Sequence, residues 1–176
     1  MANFKDSNIF RKYDDYYTPK SAWQQINHLI PKDKIIWEAF CLNADKSQSA
    51  EYLTQLDNKV VYDTSMDMLK DQPKEWDMIV SNPPFDTKIK LQILKRLVEL
   101  DKPFIIIMNS LNTFAKYIRD IFKDKFNDLQ IITPSNKIHF IRLNEDNTLT
   151  YTKTCSFYCI YLCYKMNLSN EQLWLI

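Results

Sequence analysis

Short apolar runs, each followed by an amphipathic or polar stretch, govern what this chain can fold into. The runs cover 34–40, 59–62, 76–80, 104–108 and 130–132. They have strand length, and β-branched or aromatic residues fill them. The segments between them have helical spacing. Thr18-Pro19 opens the first helix, with Thr18 as the cap and Pro19 in the first turn. Trp23, Ile26, Leu29 and Ile30 follow before Pro31 stops it. Asp45-Lys46-Ser47-Gln48 resembles a capping box ahead of Ala50, Leu53 and Leu56. Ile89, Ile93, Leu94 and Leu97 share one side of a helix over 87–100, and 113–126 reads as another helix. Residues 144–147 form an exposed polar turn, 155–164 a long final strand, and Ser169 caps a short terminal helix. Strand–helix alternation with continuous apolar strands predicts an α/β fold with a mostly parallel, doubly wound sheet. Ligands on such sheets bind beyond the carboxyl ends of the strands. Glu38, Asp63 and Asn82 fall at such ends and are expected to converge.

The length of 176 residues suits one domain, here 1–176 with 1–16 as an extension and no separate target-recognition region. A net charge of +1 does not advertise a general nucleic-acid binder, so any such binding needs a local patch. No apolar run approaches membrane-spanning length, and the polar start is unlike a leader, so an intracellular protein is expected. Cys155, Cys159 and Cys163 sit four apart, which puts all three on one face of a strand as buried thiols. The spacing is not that of a metal site. The chain has no glycine at all, so Asn and Asp are expected wherever the backbone turns left-handed.

Asn82-Pro83-Pro84-Phe85 directly follows the strand at 76–80. Each proline fixes its own φ, restricts its predecessor and offers no N–H. The loop is therefore stiff and rich in carbonyl acceptors, and Asn82 adds a side-chain carbonyl. Phe85 adds a flat face. Two acceptors beside an aromatic plate suit a planar ring carrying an amino group. The acceptors take its hydrogens, and the nitrogen lone pair is left to attack.

This tetrapeptide and its frame resemble motif IV of the amino-methyltransferases, which include the DNA and RNA adenine-N6 enzymes. The likeness covers about residues 13–165. Lys102-Pro103-Phe104 and Lys137-Ile138-His139-Phe140 also resemble segments of small viral and phage adenine-methyltransferase-like proteins. The resemblance implies a Rossmann-like fold with an antiparallel final strand and S-adenosylmethionine as cofactor. Tyr17, Thr18 and Pro19 resemble motif X, which lies against that cofactor. Glu38, Ala39 and Phe40 resemble motif I, with Glu38 meeting the cationic methionine amino group. Asp63 corresponds to the acid that holds the ribose hydroxyls, and Asp67 to the acid near the adenine ring. Asn82, Pro83, Pro84 and Phe85 correspond to the catalytic loop.

The family has Gly-x-Gly after motif I, where this chain has Cys41-Leu42-Asn43-Ala44-Asp45. The implied activity is methyl transfer to an exocyclic amino group of a nucleic-acid base, adenine N6 first. A catalytically inactive binding or structural subunit is the alternative, and a protein-glutamine or guanine-N2 enzyme a lesser one. Lys137 and Arg142 are the substrate-side candidates, since they follow the last parallel strand. Lys88, Lys90, Lys95 and Arg96 read as a solvated basic helix face. A base within a duplex must be flipped out for this chemistry, so a partner subunit supplying target recognition is a further expectation. No metal is expected, and neither His28 nor His139 is needed as a base.

Overall fold

The computed structural model describes residues 16–41, 47–143, 149–151 and 157–169, with backbone alone at 142, 143, 149 and 151. The elements run β1 (Tyr16–Tyr17), α1 (Lys20–Ile26), β2 (Ile35–Trp37), α2 (Gln48–Thr54), β3 (Lys59–Val61), β4 (Met78–Ser81) and α3 (Thr87–Leu100). Then come β5 (Phe104–Asn109), α4 (Ser110–Thr113), α5 (Lys116–Phe122), β6 (Leu129–Ile132), β7 (Ile141–Leu143), β8 (Leu149–Tyr151) and β9 (Cys159–Tyr164).

The main sheet has the order β3-β2-β4-β5-β9-β6. Pairing is parallel from β3 through β5. β9 lies antiparallel between β5 and β6. This is the Rossmann-like, mostly parallel sheet with a reversed final strand that the alternation and the family likeness anticipated. The chain runs outward from β2 to β3 and then returns to β4 on the other side of β2. That reversal opens a crevice at the carboxyl ends of β2 and β4.

Alternation along each strand builds two cores. Ile36, Val80, Ile105, Ile107, Tyr161 and Cys163 face α1 and α2 with Trp23, Ile26 and Leu53. Trp37, Ile79, Phe104, Ile106, Ile160 and Leu162 face α3 and α5 with Ile93, Leu97, Ile118 and Phe122. Cys159 and Cys163 are buried thiols on one face and in no disulfide, as expected, while Cys155 lies outside the described residues. The polar turn at 144–147 and the terminal helix after Ser169 also lie outside them.

Several local expectations are corrected. Pro19, not Thr18, is the residue that caps α1. It is extended (φ −68°, ψ 151°), and its carbonyl accepts from Ala22 N at 3.0 Å. Thr18 precedes a proline, is pushed out of the helical region and is buried at 3% exposure. Ser47 caps α2, its hydroxyl accepting from Ala50 N at 3.2 Å. The helix expected over 113–126 is split. Asn109 caps α4 through Leu111 N, the chain turns at Ala115, and Lys123 leaves α5 with a left-handed φ of 40°. A second sheet, β1-β7-β8, was not foreseen.

Candidate active site at the carboxyl ends of the strands

β2 delivers Glu38 and β4 delivers Ser81 and Asn82 to the crevice. Glu38 is 1% exposed. Its Oε1 accepts from the Ser81 hydroxyl and, at 3.1 Å, from Phe40 N–H. Its Oε2 is buried with no hydrogen-bond partner among the described residues. Burial pushes the carboxyl up to about 8, against the lowering effect of the Ser81 and Phe40 bonds. Next door, Asn82 Oδ1 is also buried and has no partner among the described residues. Buried polar atoms without partners are rare. Here two acceptors lie at the ends of adjacent strands, in the position where the sheet binds ligands.

The loop after Asn82 is firmly held. Pro83 is buried, and Pro84 and Phe85 are half-buried. Asp86 caps α3, its carboxylate accepting from Ile89 N at 3.0 Å. Lys90 Nζ donates to the Phe85 carbonyl at 3.2 Å. The Phe85 ring stands edge-on to Phe140, with centroids 5.7 Å apart, and tilted against Phe157 at 5.3 Å. Phe140 in turn meets Tyr16 at 6.3 Å. The pairing of β1 with β7 and this aromatic cluster therefore bring the Tyr17-Thr18-Pro19 segment toward the loop.

The remaining candidates differ in how they are placed. Ala39 and Phe40 are half-buried against the α3-side core. Asp63 follows β3 at the same sheet end, but it is exposed, and its Oδ1 accepts from Ser65 N at 2.8 Å and Ser65 Oγ at 2.6 Å. Asp67 Oδ2 pairs with Lys70 Nζ at 2.7 Å, while Oδ1 accepts from Leu69 N at 3.1 Å. Both acids thus close local turns. Lys137 Nζ sits 4.7 Å over the Tyr158 ring. Arg142 pairs through its backbone with Tyr16 and Thr150, and its side chain lies outside the described residues. His28 and His139 are exposed. Among the described residues no cluster of potential metal ligands occurs, and no helix is long and apolar enough to cross a membrane.

The expectation of a solvated basic face at 88–96 is corrected at Lys90 and Arg96. Lys90 is 3% exposed. Arg96 is half-buried, donating to the Met68 carbonyl at 3.4 Å and pairing with Glu99. The signal was present in the spacing, since Lys90 falls on the same helical stripe as Ile93, Leu94 and Leu97. Ser81 was also missed as a site residue. Its only sequence mark is a polar side chain closing an apolar strand.

No protein-family model matches the chain, and no curated protein matches it either. Solved structures do. TehB from Haemophilus influenzae is 13% identical, with 92% of this chain and 67% of that chain covered at a TM-score of 0.49. A human methyltransferase 10 domain containing protein is 13% identical, with 95% and 100% covered at 0.44. An S-adenosylmethionine-dependent O-methyltransferase from Thermotoga maritima is 11% identical, with 86% and 66% covered at 0.40. Similarity of this extent says nothing about substrate.

Proposed function

We propose that this protein transfers a methyl group from S-adenosylmethionine to an exocyclic amino group of a nucleic-acid base, with adenine N6 preferred. The observation that carries the reading is the pair of buried oxygens, Glu38 Oε2 and Asn82 Oδ1, on adjacent strand ends and without partners among the described residues. A ligand bearing a cationic amine beside a second ligand bearing an NH2 group answers both.

The residues fit the cofactor at one decisive point. A buried carboxylate oxygen lacking a donor suits an ammonium, and ionised Glu38 would hold it through a charge-assisted bond. Tyr17, Thr18, Pro19, Ala39, Phe40, Asp63 and Asp67 are the further cofactor-side candidates. The carboxylates of Asp63 and Asp67 must exchange their local partners to serve. When bound, S-adenosylmethionine supplies a methyl group activated by its sulfonium.

The chain's own part is positioning. Asn82 Oδ1 and the Pro83 carbonyl accept the hydrogens of the target amine and orient its lone pair. Pro83 and Pro84 keep the loop rigid, so the alignment costs little entropy on binding. The Phe85 ring, held edge-on by Phe140 and tilted against Phe157, is the candidate stacking plate. Lys137 and Arg142 are the candidates for the nucleic-acid side. Asn82→Ala should reduce transfer by about 100-fold or more, by analogy with loss of one preorganised polar contact. Radiolabelled methyl transfer to an adenine-containing oligonucleotide checks this, and equal turnover by the variant removes Asn82 from the mechanism.

A second reading, an inactive methyltransferase-like binding or structural subunit, has its own support. The Glu38 carboxyl is enclosed and its Oε1 already engaged, and Asp63 and Asp67 are bonded within their own turns. Calorimetric titration with S-adenosylmethionine separates the two. Micromolar binding supports the enzyme, and no binding at millimolar cofactor supports the subunit.

A further inference from the structure

Three apolar side chains stand out at the carboxyl end of the sheet. Leu111 is 81% exposed, Phe114 89% and Tyr158 67%. Rings this exposed are unusual on a monomer surface when they cluster. Ser110 N donates to the Tyr158 carbonyl at 2.9 Å, which fixes α4 beside the start of β9. Two strand spacings separate β9 from β4, so Tyr158 lies on the order of 10 Å from the Asn82 end of β4.

From this rim a groove of about 1130 Å³ runs along β6, lined among others by Phe114, Tyr158, Lys137, Gln130 and Phe126. β6 has four residues, so the groove extends roughly 13 Å along the edge strand. Each end pairs an exposed ring with a cation. Lys137 Nζ is 4.7 Å from the Tyr158 ring centre, and the Arg119 guanidinium is 6.0 Å from that of Phe126. The lining acid, Asp128, lies at the Arg119 end, away from Asn82.

We propose that Phe114, Tyr158 and Lys137, continued by the groove to Phe126 and Arg119, form a track for single-stranded nucleic acid flanking the target base. Every base has a face that stacks on an aromatic ring whatever its identity, and cations beside the rings meet the phosphates. The arrangement alternates the two chemistries and starts beside the reaction loop. A protein partner would be better served by a continuous apolar patch, which the interleaved cations interrupt. The proposal rests on the nucleic-acid methyl-transfer reading above and gives its substrate class as unpaired strands. It also removes the need for a base-flipping device.

The test measures anisotropy of a short fluorescent single-stranded oligonucleotide of mixed sequence, with parent, Phe114→Ala/Tyr158→Ala and Lys137→Glu. Both rings are exposed, so their removal leaves the fold intact. The expected result is a loss of about tenfold or more in affinity for each variant, greater weakening of the parent by salt than of Lys137→Glu, weaker binding of the matching duplex, and unchanged calorimetric affinity for S-adenosylmethionine. Unchanged oligonucleotide affinity in the double variant overturns the track. So does conversion of a dimeric parent to a monomer by the double variant with oligonucleotide affinity retained, which assigns the rim to a second copy. Methyl transfer to a free nucleoside without oligonucleotide binding overturns the track and spares the reading beneath it. Transfer to neither substrate overturns that reading and the track with it.

Discussion

Glu38 carries the sharpest electrostatic consequence in the site. Its carboxyl is pushed up to about 8 by burial, whereas the unfolded chain releases that proton near 4.5. A raised folded value means that the group's stabilising effect is full below about pH 4.5 and is lost as pH rises through about 8. Free protein should therefore lose on the order of 3–5 kcal/mol from this residue between those limits. Glu38→Gln should flatten the dependence, as followed by urea unfolding at several pH values. A pH-independent difference between the two proteins excludes the linkage. The same proton opposes a cationic ligand. If Glu38 holds the cofactor's ammonium as proposed, it must ionise to do so, and affinity for S-adenosylmethionine should rise about tenfold per unit between pH 6 and 8. Calorimetry in buffers of different ionisation enthalpy reads the released proton directly. Glu38 and Asn82 were legible in the sequence because both are strand-end residues in local patterns. Ser81 was not, since its role depends on a hydroxyl meeting an acid 43 residues away, and for Lys90 the helical stripe marks the burial but not the carbonyl that receives its ammonium.

Elements were legible where apolar periodicity was strong and continuous. β4, α3 and β5 lie within a residue or two of their expected bounds, and the turn into α3 follows from Asp86 at its start. The second sheet was illegible because β1 has two residues and gains its register only from β7, far along the chain. Glycine's absence was informative about turns, but only in part. Asp57, Asp101 and Asn167 take left-handed φ values as anticipated, and Lys123 and Lys165 take them as well. Lysine has no side-chain bond to the local backbone that would favour this conformation, so it is strained by roughly 1 kcal/mol or more. Lys123 is exposed at the end of α5, and its φ of 40° with ψ of −114° suits glycine. Lys123→Gly should thus raise stability by about 0.5–1 kcal/mol after the added flexibility of the unfolded chain is deducted. Chemical denaturation measures this. A lower midpoint with an unchanged slope removes the strain argument.

The two ends of the main sheet differ in how their polar groups are satisfied. At the closed end, Asp101 terminates α3 with a left-handed φ of 53° and collects three partners. Lys125 Nζ lies at 2.6 Å, Lys165 Nζ at 2.8 Å, and the Tyr164 hydroxyl donates at 2.7 Å. These bonds, the Lys125 bond first, hold its carboxyl far below the usual carboxylate range. A lowered folded value means that the contribution is present above the unfolded value of 3.8 and vanishes as pH falls through the folded one. At the open end lie Asn82 Oδ1, a buried acceptor, and the buried Glu38 Oε2 of a carboxyl that keeps its proton up to about pH 8, neither with a hydrogen-bond partner among the described residues. Such groups lower the stability of the free protein and gain their return when a donor arrives. Opposite variants should therefore separate the two ends. Asp101→Asn should lower the thermal midpoint at pH 7, lose that deficit in strong acid, and leave cofactor affinity as it was. Asn82→Ala should leave the midpoint of the free protein unchanged or raise it, because an unsatisfied acceptor has gone, while transfer falls. Differential scanning calorimetry with and without S-adenosylmethionine reads both. If Asn82→Ala instead destabilises the free protein as much as Asp101→Asn does, then the Asn82 side chain is part of the scaffold, and the open end holds no acceptor reserved for a substrate.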